Sequence, residues 1–496
     1  MHLACTTASG RRAGCALLAL LALLAVLALL ALNTARAAQN LPPEALQSLQ
    51  RAGVPAEAMS VVIHDATSGR SVLQWQEQRP LNPASLAKLL TTMAALDRLG
   101  PAWTWSTPVW LMGPIKDGVL EGSVFIKGSG DPKLVLERVW LLLRRVQQQG
   151  VREIRGDIVL DSSAFLVPDA EAGDFDGEPL RPYNVRPAAL LLNYRSVLYT
   201  FVPDEAAGVA RVAVEPALAG TLVDRVVPLA IGGAGTGAPA VPCGDWRGAL
   251  KASFEPGRTR FAGSYIPACG ELSWPVADPQ PGTYDARLID ALWREMGGQL
   301  RGSVREGLAP VELKPSFEQR SPALAELVRD INKYSNNVMA QQLFYTLALQ
   351  ARKNGPATQD SARDTLARWL AERTGDLSSE VVLDNGSGLS RHTRISAQRL
   401  ARLLTQNFDS PVMSELMSSL PISGLDGTLR RSRTTPGRAH LKTGSLRDVA
   451  GVAGYVLSSS GRRYVVVAII NHANANAARP ALEAVVQWAM RDTPAR

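Results

Sequence analysis

An apolar run with a serine and a lysine at its start constrains the fold of this chain more than any other segment. Residues 86–96 are mostly apolar, and a proline just before such a run, here Pro83, is typical of a helix start. We therefore predict a buried helix with Ser85 in its first turn and Lys88 three residues later on the same face. A hydroxyl beside an amine whose pKa is lowered by burial is a nucleophile with its own base. Alone the pattern is weak, because a helix-capping serine and a solvated lysine give the same spacing.

A second polar motif interrupts a predicted helical region, residues 322–350. Residues 334–337 read Tyr-Ser-Asn-Asn and lie within a polar run. In a catalytic reading, Ser335 passes a proton to a leaving group and Asn337 holds a substrate amide. An ordinary polar helix start is the alternative reading.

A third motif, Lys-Thr-Gly-Ser at 442–445, comes just before a predicted buried strand. Lys442 would present a cation to an anionic substrate end, and the hydroxyls of Thr443 and Ser445 would bind the same carboxylate. Gly444 lets a substrate backbone approach closely. The backbone N–H groups of Ser445 and of the nucleophilic serine could form an oxyanion hole, worth about 3 kcal/mol per donor.

The order of the three motifs is more specific than any one of them, because each occurs once and in a fitting local context. With this pattern the chain resembles the D-alanyl-D-alanine carboxypeptidase/endopeptidase family, the low-molecular-mass class C penicillin-binding proteins, from about residue 41 to the C-terminus. Ser85 and Ser335 are 250 residues apart, whereas serine β-lactamases and relatives without an insert place these motifs much closer. Ser445 departs from the threonine commoner in the family but keeps the hydroxyl. Further stretches that resemble the family are residues 79–85, 128–132, 181–184, 335–340, 384–390 and 424–430.

The resemblance implies a serine enzyme that acts on peptidoglycan stem peptides without a cofactor. Ser85 would attack the carbonyl of the penultimate D-Ala, or of the D-Ala in a D-Ala–diaminopimelate cross-link. Lys88 would take the serine proton, Ser335 and Lys442 would relay a proton to the leaving amine, and water would release the acyl-enzyme. β-Lactams would acylate Ser85 as substrate mimics and dissociate slowly.

The predicted fold is an α/β (α+β) domain of the serine β-lactamase and transpeptidase type, in two sequence pieces, residues 39–98 and 283–496. Residues 99–282, between the two pieces, are predicted to form a large, mostly β insert of two subdomains. A predicted strand hairpin, residues 60–76, leads the chain to the serine.

Residues 1–38 are typical of a secretion signal. Arg11 and Arg12 precede an apolar run at 16–32, and Ala-Arg-Ala at 35–37 is a small-x-small cleavage site. We predict cleavage and a periplasmic location. An uncleaved membrane anchor is the alternative, because the apolar run is nearly long enough to span a bilayer.

The cysteines fit an exported chain. Cys5 and Cys15 lie in the signal, which leaves Cys243 and Cys269 as an even pair. We predict a disulfide between them, closing a loop of about 25 residues at about 3 kcal/mol by loop entropy. Two free buried thiols are the alternative.

Composition excludes several other classes. With 46% hydrophobic and 20% charged residues the chain is globular rather than disordered, and 496 residues call for more than one domain. The net charge of +8 has no polybasic run, so it suits loose association with an anionic cell wall or membrane surface and gives no support for nucleic-acid binding. The five histidines form no His-x-His or His-Glu-x-x-His motif, so no metal site is predicted.

Two other functions stay open at this point. A β-lactamase would need a group that deacylates the enzyme quickly, commonly a glutamate near the serine, and the sequence singles none out. A catalytically idle wall-binding protein is opposed by the intact motif residues. The oligomeric state does not follow from the sequence.

Overall fold

The computed structural model describes residues 40–230, 242–352, 354–375 and 381–492. The predicted signal peptide, residues 1–38, therefore lies outside the described residues, together with Cys5 and Cys15. Within the described ranges, no helix combines the length and apolar character that a membrane crossing requires.

Helices and mostly short strands alternate along the described chain. Its helices are α1 Pro43–Arg51, α2 Ala87–Leu99, α3 Leu136–Gln148, α4 Trp246–Ala249, α5 Pro281–Glu295, α6 Leu324–Lys333, α7 Asn337–Ala351, α8 Gln359–Thr374, α9 Ala397–Phe408, α10 Met413–Ser419 and α11 Arg479–Arg491. Its strands are β1 Met59–Asp65, β2 Ser71–Trp75, β3 Pro80–Leu81, β4 Ser106–Met112, β5 Ile115–Lys116, β6 Val119–Leu120, β7 Ser123–Lys127, β8 Glu153–Ile154, β9 Ile158–Asp161, β10 Phe165–Leu166, β11 Ser196–Asp204, β12 Val209–Glu215, β13 Leu222–Val223, β14 Val226–Pro228, β15 Ala252–Glu255, β16 Arg258–Phe261, β17 Leu272–Ala277, β18 Gln299–Leu300, β19 Val304–Glu306, β20 Phe317–Arg320, β21 Ala357–Thr358, β22 Ile395–Ser396, β23 Ala439–Leu446, β24 Val449–Leu457 and β25 Arg463–Asn471.

The chain forms two compact units, each assembled from separate stretches. Unit 1 contains residues 40–82, 395–410 and 422–492, and unit 2 contains residues 83–394 and 411–421, within the described ranges. The predicted domain limits at residues 98 and 282 describe a different division of the chain and stay a prediction. The sheets of unit 2 also extend past residue 282, since β18, β19 and β20 pair with β8, β9 and β4.

Unit 1 is built on a five-stranded antiparallel sheet in the order β2-β1-β25-β24-β23. The predicted hairpin is β1 and β2. Strands β1, β24 and β25 are buried along nearly their whole length, because both sheet faces are covered. Helices α1 and α11 share a core with one face, and α9 packs on the other, where the Tyr455 hydroxyl donates to the Leu404 carbonyl at 2.9 Å. Strand β23 is the edge strand next to β24, and it carries the Lys-Thr-Gly-Ser motif.

Unit 2 combines several small sheets with a group of helices. A five-stranded sheet, β19-β9-β7-β4-β20, and the sheets β14-β12-β11-β17, β18-β8-β6-β5 and β13-β16-β15 account for most of its strands in the described chain. One hydrophobic core joins these sheets to α3 and α5. Helices α2, α6, α7 and α8 pack on one another, and α2 is buried from Ala87 to Leu96, as the apolar run predicts.

The structure joins Cys243 and Cys269 in a disulfide, with their Cα atoms 4.8 Å apart. The two cysteines are 26 positions apart, and β15 and β16 lie between them. The bond thus closes a local hairpin onto the turn at Pro267–Cys269.

Replacing both cysteines with serine is expected to destabilise unit 2 by about 3 kcal/mol, because the unfolded chain regains the entropy of a loop of this length. Thermal unfolding of the double variant and of the parent, each without reductant, measures the difference. An equal loss in the parent on adding reductant assigns the effect to the bond. Unfolding temperatures that agree in all three samples would contradict the prediction.

Candidate active site

The predicted nucleophile lies in a tight turn at the start of α2. Residues Ala84–Leu86 form a 3₁₀ turn, so Ser85 precedes the α-helix itself by two residues. Ser85 is half-buried, and Ala84 before it has φ +47°, a left-handed conformation that is rare for a residue with a Cβ. Such strain costs on the order of 1–3 kcal/mol and persists only where the surroundings hold it, as is common at functional sites.

Lys88 is fully buried and its amine lies within hydrogen-bonding distance of three oxygens. Its Nζ is 2.9 Å from Ser85 Oγ, 2.6 Å from Asn337 Oδ1 and 2.6 Å from the Ser387 carbonyl. A charged ammonium can donate one hydrogen to each. A neutral amine can donate to Asn337 and Ser387 and accept the Ser85 proton on its lone pair. The same geometry therefore fits both states of a general base.

The second motif lies in the turn between α6 and α7. Ser335 has φ +56°, a second left-handed residue with a Cβ, and Asn336 caps α7 by accepting from the Met339 backbone N–H at 3.0 Å. Asn337 is the first residue of α7, and its Oδ1 accepts from Lys88 while its Nδ2 is 3.5 Å from the Tyr183 carbonyl. The structure thus brings Ser85, Lys88 and Asn337 together and places Ser335 two residues before Asn337.

The loop at residues 384–390 contributes a partner that sequence reasoning did not assign. The Ser387 carbonyl binds Lys88, and the side chain of Asn385 fixes the loop around it. Asn385 Oδ1 accepts from the backbone N–H and the hydroxyl of Ser387 at 3.1 and 2.9 Å, and its Nδ2 donates to the Leu389 carbonyl at 2.8 Å. This stretch resembles the family, but the residue types alone do not show that a backbone carbonyl makes the contact, because every residue has one.

Two glycines let this loop approach the nucleophile turn and the helices. Gly388 has φ +78°, and a Cβ there would lie 1.9 Å from the Ala84 carbonyl oxygen and 3.0 Å from the Ser85 nitrogen. A Cβ on Gly386, φ +70°, would lie 2.7 Å from the Phe344 ring, and its carbonyl accepts from the Thr91 hydroxyl at 2.7 Å. Glycine is therefore required for this packing.

In unit 1, the third motif lies in β23, and the predicted buried strand that follows it is β24. Side chains alternate between the faces of a strand, so Lys442 and Gly444 lie on one face and Thr443 and Ser445 on the other. Thr443 pairs with Val452, a member of the core shared with α11, which identifies the face of the two hydroxyl residues.

Lys442 is fully buried, and its Nζ donates to the Thr443 carbonyl at 2.8 Å. Burial lowers the pKa of the Lys442 amine to about 7, because the charged form loses its hydration. The charge of this lysine is therefore expected to change near neutral pH.

The described residues contain no group of three His, Cys, Asp or Glu side chains placed to hold a metal ion. Burial raises the pKa of the Asp131 carboxyl in unit 2 to about 6, against the opposing hydrogen bond from the Lys133 N–H. Asp131 lies in the tight turn at 128–132, and its Oδ1 accepts that N–H at 2.8 Å, as expected for a turn residue.

Comparison with known proteins identifies the class. A family model described as the D-Ala-D-Ala carboxypeptidase 3 (S13) family matches residues 45–492, and the chain belongs to this family. This confirms the resemblance inferred from the motifs.

Individual relatives agree with the family assignment. The chain is 26% identical over 400 residues to D-alanyl-D-alanine carboxypeptidase DacB of Haemophilus influenzae, covering 78% of this chain and 80% of that protein. The crystal structure of penicillin binding protein 4 from Haemophilus influenzae matches with a TM-score of 0.70 at 21% identity, covering 88% of this chain and 97% of the other. A structure of that protein complexed with a β-lactam matches with a TM-score of 0.64 at 22% identity, covering 86% and 94%. The predicted α/β fold with a large, mostly β insert is confirmed.

Proposed function

We propose that this chain is a serine D-Ala-D-Ala carboxypeptidase and DD-endopeptidase that acts on peptidoglycan stem peptides through an acyl-enzyme on Ser85. The observation that carries the proposal is the contact of Ser85 Oγ with Lys88 Nζ at 2.9 Å, with that amine held by Asn337 and Ser387. Membership of the D-Ala-D-Ala carboxypeptidase family supports the substrate class. The endopeptidase activity rests on the chemical likeness of a D-Ala–diaminopimelate cross-link to the D-Ala-D-Ala end.

In the proposed acylation, Ser85 Oγ attacks the carbonyl carbon of the penultimate D-Ala while its proton moves to the Lys88 amine. The C–N bond then breaks, and the proton held by Lys88 reaches the leaving amine through Ser335 and Lys442, the proposed relay, so the Lys88 amine is neutral again. Water next adds to the ester carbonyl carbon and gives a proton to the Lys88 amine. The tetrahedral adduct then breaks down, which releases the shortened peptide, and the same proton restores the Ser85 hydroxyl. Atoms and charges balance without a metal or cofactor.

The proposed role of the third motif is to bind the substrate's carboxylate end. Thr443 and Ser445 would donate hydroxyl hydrogen bonds, Gly444 would let the substrate backbone approach, and Lys442 would supply positive charge. A carboxylate lies on the residue after the scissile bond in both proposed substrates, so one set of contacts serves both reactions.

Two further parts of the proposal concern inhibition and location. β-Lactams would acylate Ser85 as substrate mimics, and the complex of the Haemophilus influenzae protein with a β-lactam supports this. The signal-like residues 1–38 support export to the periplasm, where the substrate lies.

The test is the mass of the intact protein after incubation with a labelled penicillin, alongside D-Ala release from a stem pentapeptide and cleavage of a cross-linked dimer. We expect one stable adduct on the parent, none on Ser85→Ala, and release of D-Ala. A transient adduct with rapid drug hydrolysis would favour a β-lactamase. Absence of adduct and of peptide cleavage would favour an idle wall-binding protein.

The lowered pKa of Lys442 gives the proposal a pH dependence. The cationic form of Lys442 is present below about pH 7 and is lost as the pH rises through this value. In the proposed function, this form binds the substrate carboxylate. We therefore expect kcat/KM, which reports the free enzyme, to fall about tenfold per pH unit above this value. Steady-state kinetics on a carboxylate-terminated peptide, from about pH 5 to about pH 9, measure this fall in kcat/KM.

Lys442→Arg is the matched variant, because an arginine stays charged throughout this range. In that variant the fall near neutrality should disappear while activity at low pH is retained in part. If kcat/KM of Lys442→Arg falls above pH 7 as in the parent, or if kcat/KM of the parent does not fall in this range, Lys442 is not the group whose charge controls the activity.

A further inference from the structure

We propose that Arg479 is a further substrate-binding residue, which binds the terminal carboxylate of the stem peptide beside the hydroxyls of Thr443 and Ser445. The proposal rests on the proposed function and deepens it by naming the cation that faces those hydroxyls. Within the Lys-Thr-Gly-Ser motif, the sequence predicts a cation only at Lys442.

The guanidinium of Arg479 is tied to the end of β23. Arg479 Nη2 donates to Ser445 Oγ at 2.7 Å, and its Nη2 and Nε donate to Asn476 Oδ1 at 2.8 and 3.2 Å. Asn476 is itself fixed, because its Nδ2 donates to the carbonyls of Leu446 and Arg447 at 2.9 and 2.8 Å. These hydrogen bonds hold the Arg479 side chain, and therefore its charge, at one position, which reduces the entropy lost on binding a ligand.

The alternation of side chains along β23 places Lys442 and the two hydroxyl residues on opposite faces, so the hydroxyl face has room for a second cation beside the charge that Lys442 supplies. Thr443 and Ser445 lie on the face that packs under α11, which begins at Arg479, whereas Lys442 lies on the opposite face. Thr443 Oγ1 is 2.7 Å from Thr428 Oγ1 on the same side. The cation that contacts the hydroxyl face is therefore Arg479.

The hydrogen-bond inventory leaves the right donors for a carboxylate. Both hydrogens of Arg479 Nη2 are used, by Ser445 and Asn476, but among the described residues Nη1 has no hydrogen-bond partner. Because Ser445 Oγ accepts from the arginine, its own O–H is directed away and can donate to a ligand. Two guanidinium hydrogens and a hydroxyl on one edge match the oxygens of a carboxylate.

A cavity adjoins these groups within unit 1. It has a volume of about 200 Å³ and is lined by Thr443, Ser445 and Arg479, with Leu482 and Val486 of α11 forming part of its apolar wall. Arg431 also lines it, so its charged residues are two arginines and one glutamate, an excess of positive charge. A small apolar residue that ends in a carboxylate, such as a terminal D-alanine, has the matching chemistry.

The test compares two stem pentapeptides that differ at one group, a free C-terminal carboxylate or its C-terminal amide. We expect Arg479→Ala to lower kcat/KM about 10- to 100-fold on the carboxylate, as loss of a charge-assisted hydrogen bond implies, and less than about threefold on the amide. Arg479→Lys, which keeps the charge but loses the planar fork, should fall between parent and Arg479→Ala. Arg433→Ala removes the same charge from an exposed arginine of unit 1 that does not line this cavity, so it should alter both substrates by less than about threefold.

The outcomes separate this inference from the function on which it rests. A parent enzyme that releases no D-Ala from the carboxylate peptide refutes the proposed function and the inference with it. If the parent is active, an equal loss on both peptides in Arg479→Ala shows a structural role and overturns the inference. No loss, or an equal loss in Arg433→Ala, overturns it as well. Thermal unfolding of each variant checks that folding is retained. If Arg479→Ala is destabilised, Arg479→Lys is the milder change on which the comparison rests.

Discussion

Replacing Lys88 with methionine is expected to slow acylation of Ser85 by about 10²- to 10⁴-fold, the usual contribution of a positioned general base. Methionine has a similar length and fills the buried space, but its thioether is not basic and cannot take the proton of the Ser85 hydroxyl, 2.9 Å from Nζ in the parent. The rate at which a labelled penicillin adduct appears, followed by intact mass, measures the effect. Because acylation precedes hydrolysis, the loss should be seen in the first turnover.

Lys88→Met also leaves the Asn337 and Ser387 oxygens without a donor, so lost stability must be separated from lost chemistry. Thr91→Val is the matched control. It removes another buried hydrogen bond from α2 to the same loop, at the Gly386 carbonyl, and leaves the amine in place. We expect both variants to be destabilised, with acylation lost in Lys88→Met and largely kept in Thr91→Val. An acylation rate for Lys88→Met within about threefold of the parent would exclude Lys88 as the base.

Gly388→Ala is expected to lower the acylation rate by about 10²-fold or more. The new Cβ would lie 1.9 Å from the Ala84 carbonyl oxygen, so the turn that holds Ser85 or the loop that holds Ser387 must move. A displacement of about 1 Å at the reacting groups costs about 10²-fold in rate. Single-turnover acylation and thermal unfolding, measured side by side, show the effect.

Gly297→Ala controls for backbone strain in this experiment. Gly297 has φ +79°, close to the +78° of Gly388, yet a Cβ there would meet no described atom within 4 Å. Both variants put an alanine into a left-handed conformation, which costs about 1 kcal/mol. Only Gly388→Ala also brings a Cβ into close contact with another part of the chain. Equal acylation rates in the two variants would show that the close approach of the loop does not position Ser85.

Local patterns predicted many elements well. The buried helix predicted from residues 86–96 is α2, and the hairpin predicted at residues 60–76 is β1 and β2, because each is an apolar or alternating run bounded by turn residues. The turn between α6 and α7 interrupts a region predicted as helical, at the polar run that marked the second motif. The paired cysteines lie in a disulfide, as an even pair in an exported chain implies.

The sequence by itself determined the family, the three motifs and their order, because these depend on residue type and spacing along the chain. Only the tertiary structure decided which groups surround the Lys88 amine, since the Ser387 carbonyl belongs to the backbone and lies 299 positions away. It also decided that Lys442 and Thr443 occupy opposite faces of β23 and that Arg479 contacts Ser445. Contacts between distant segments depend on packing and register, which no local pattern encodes.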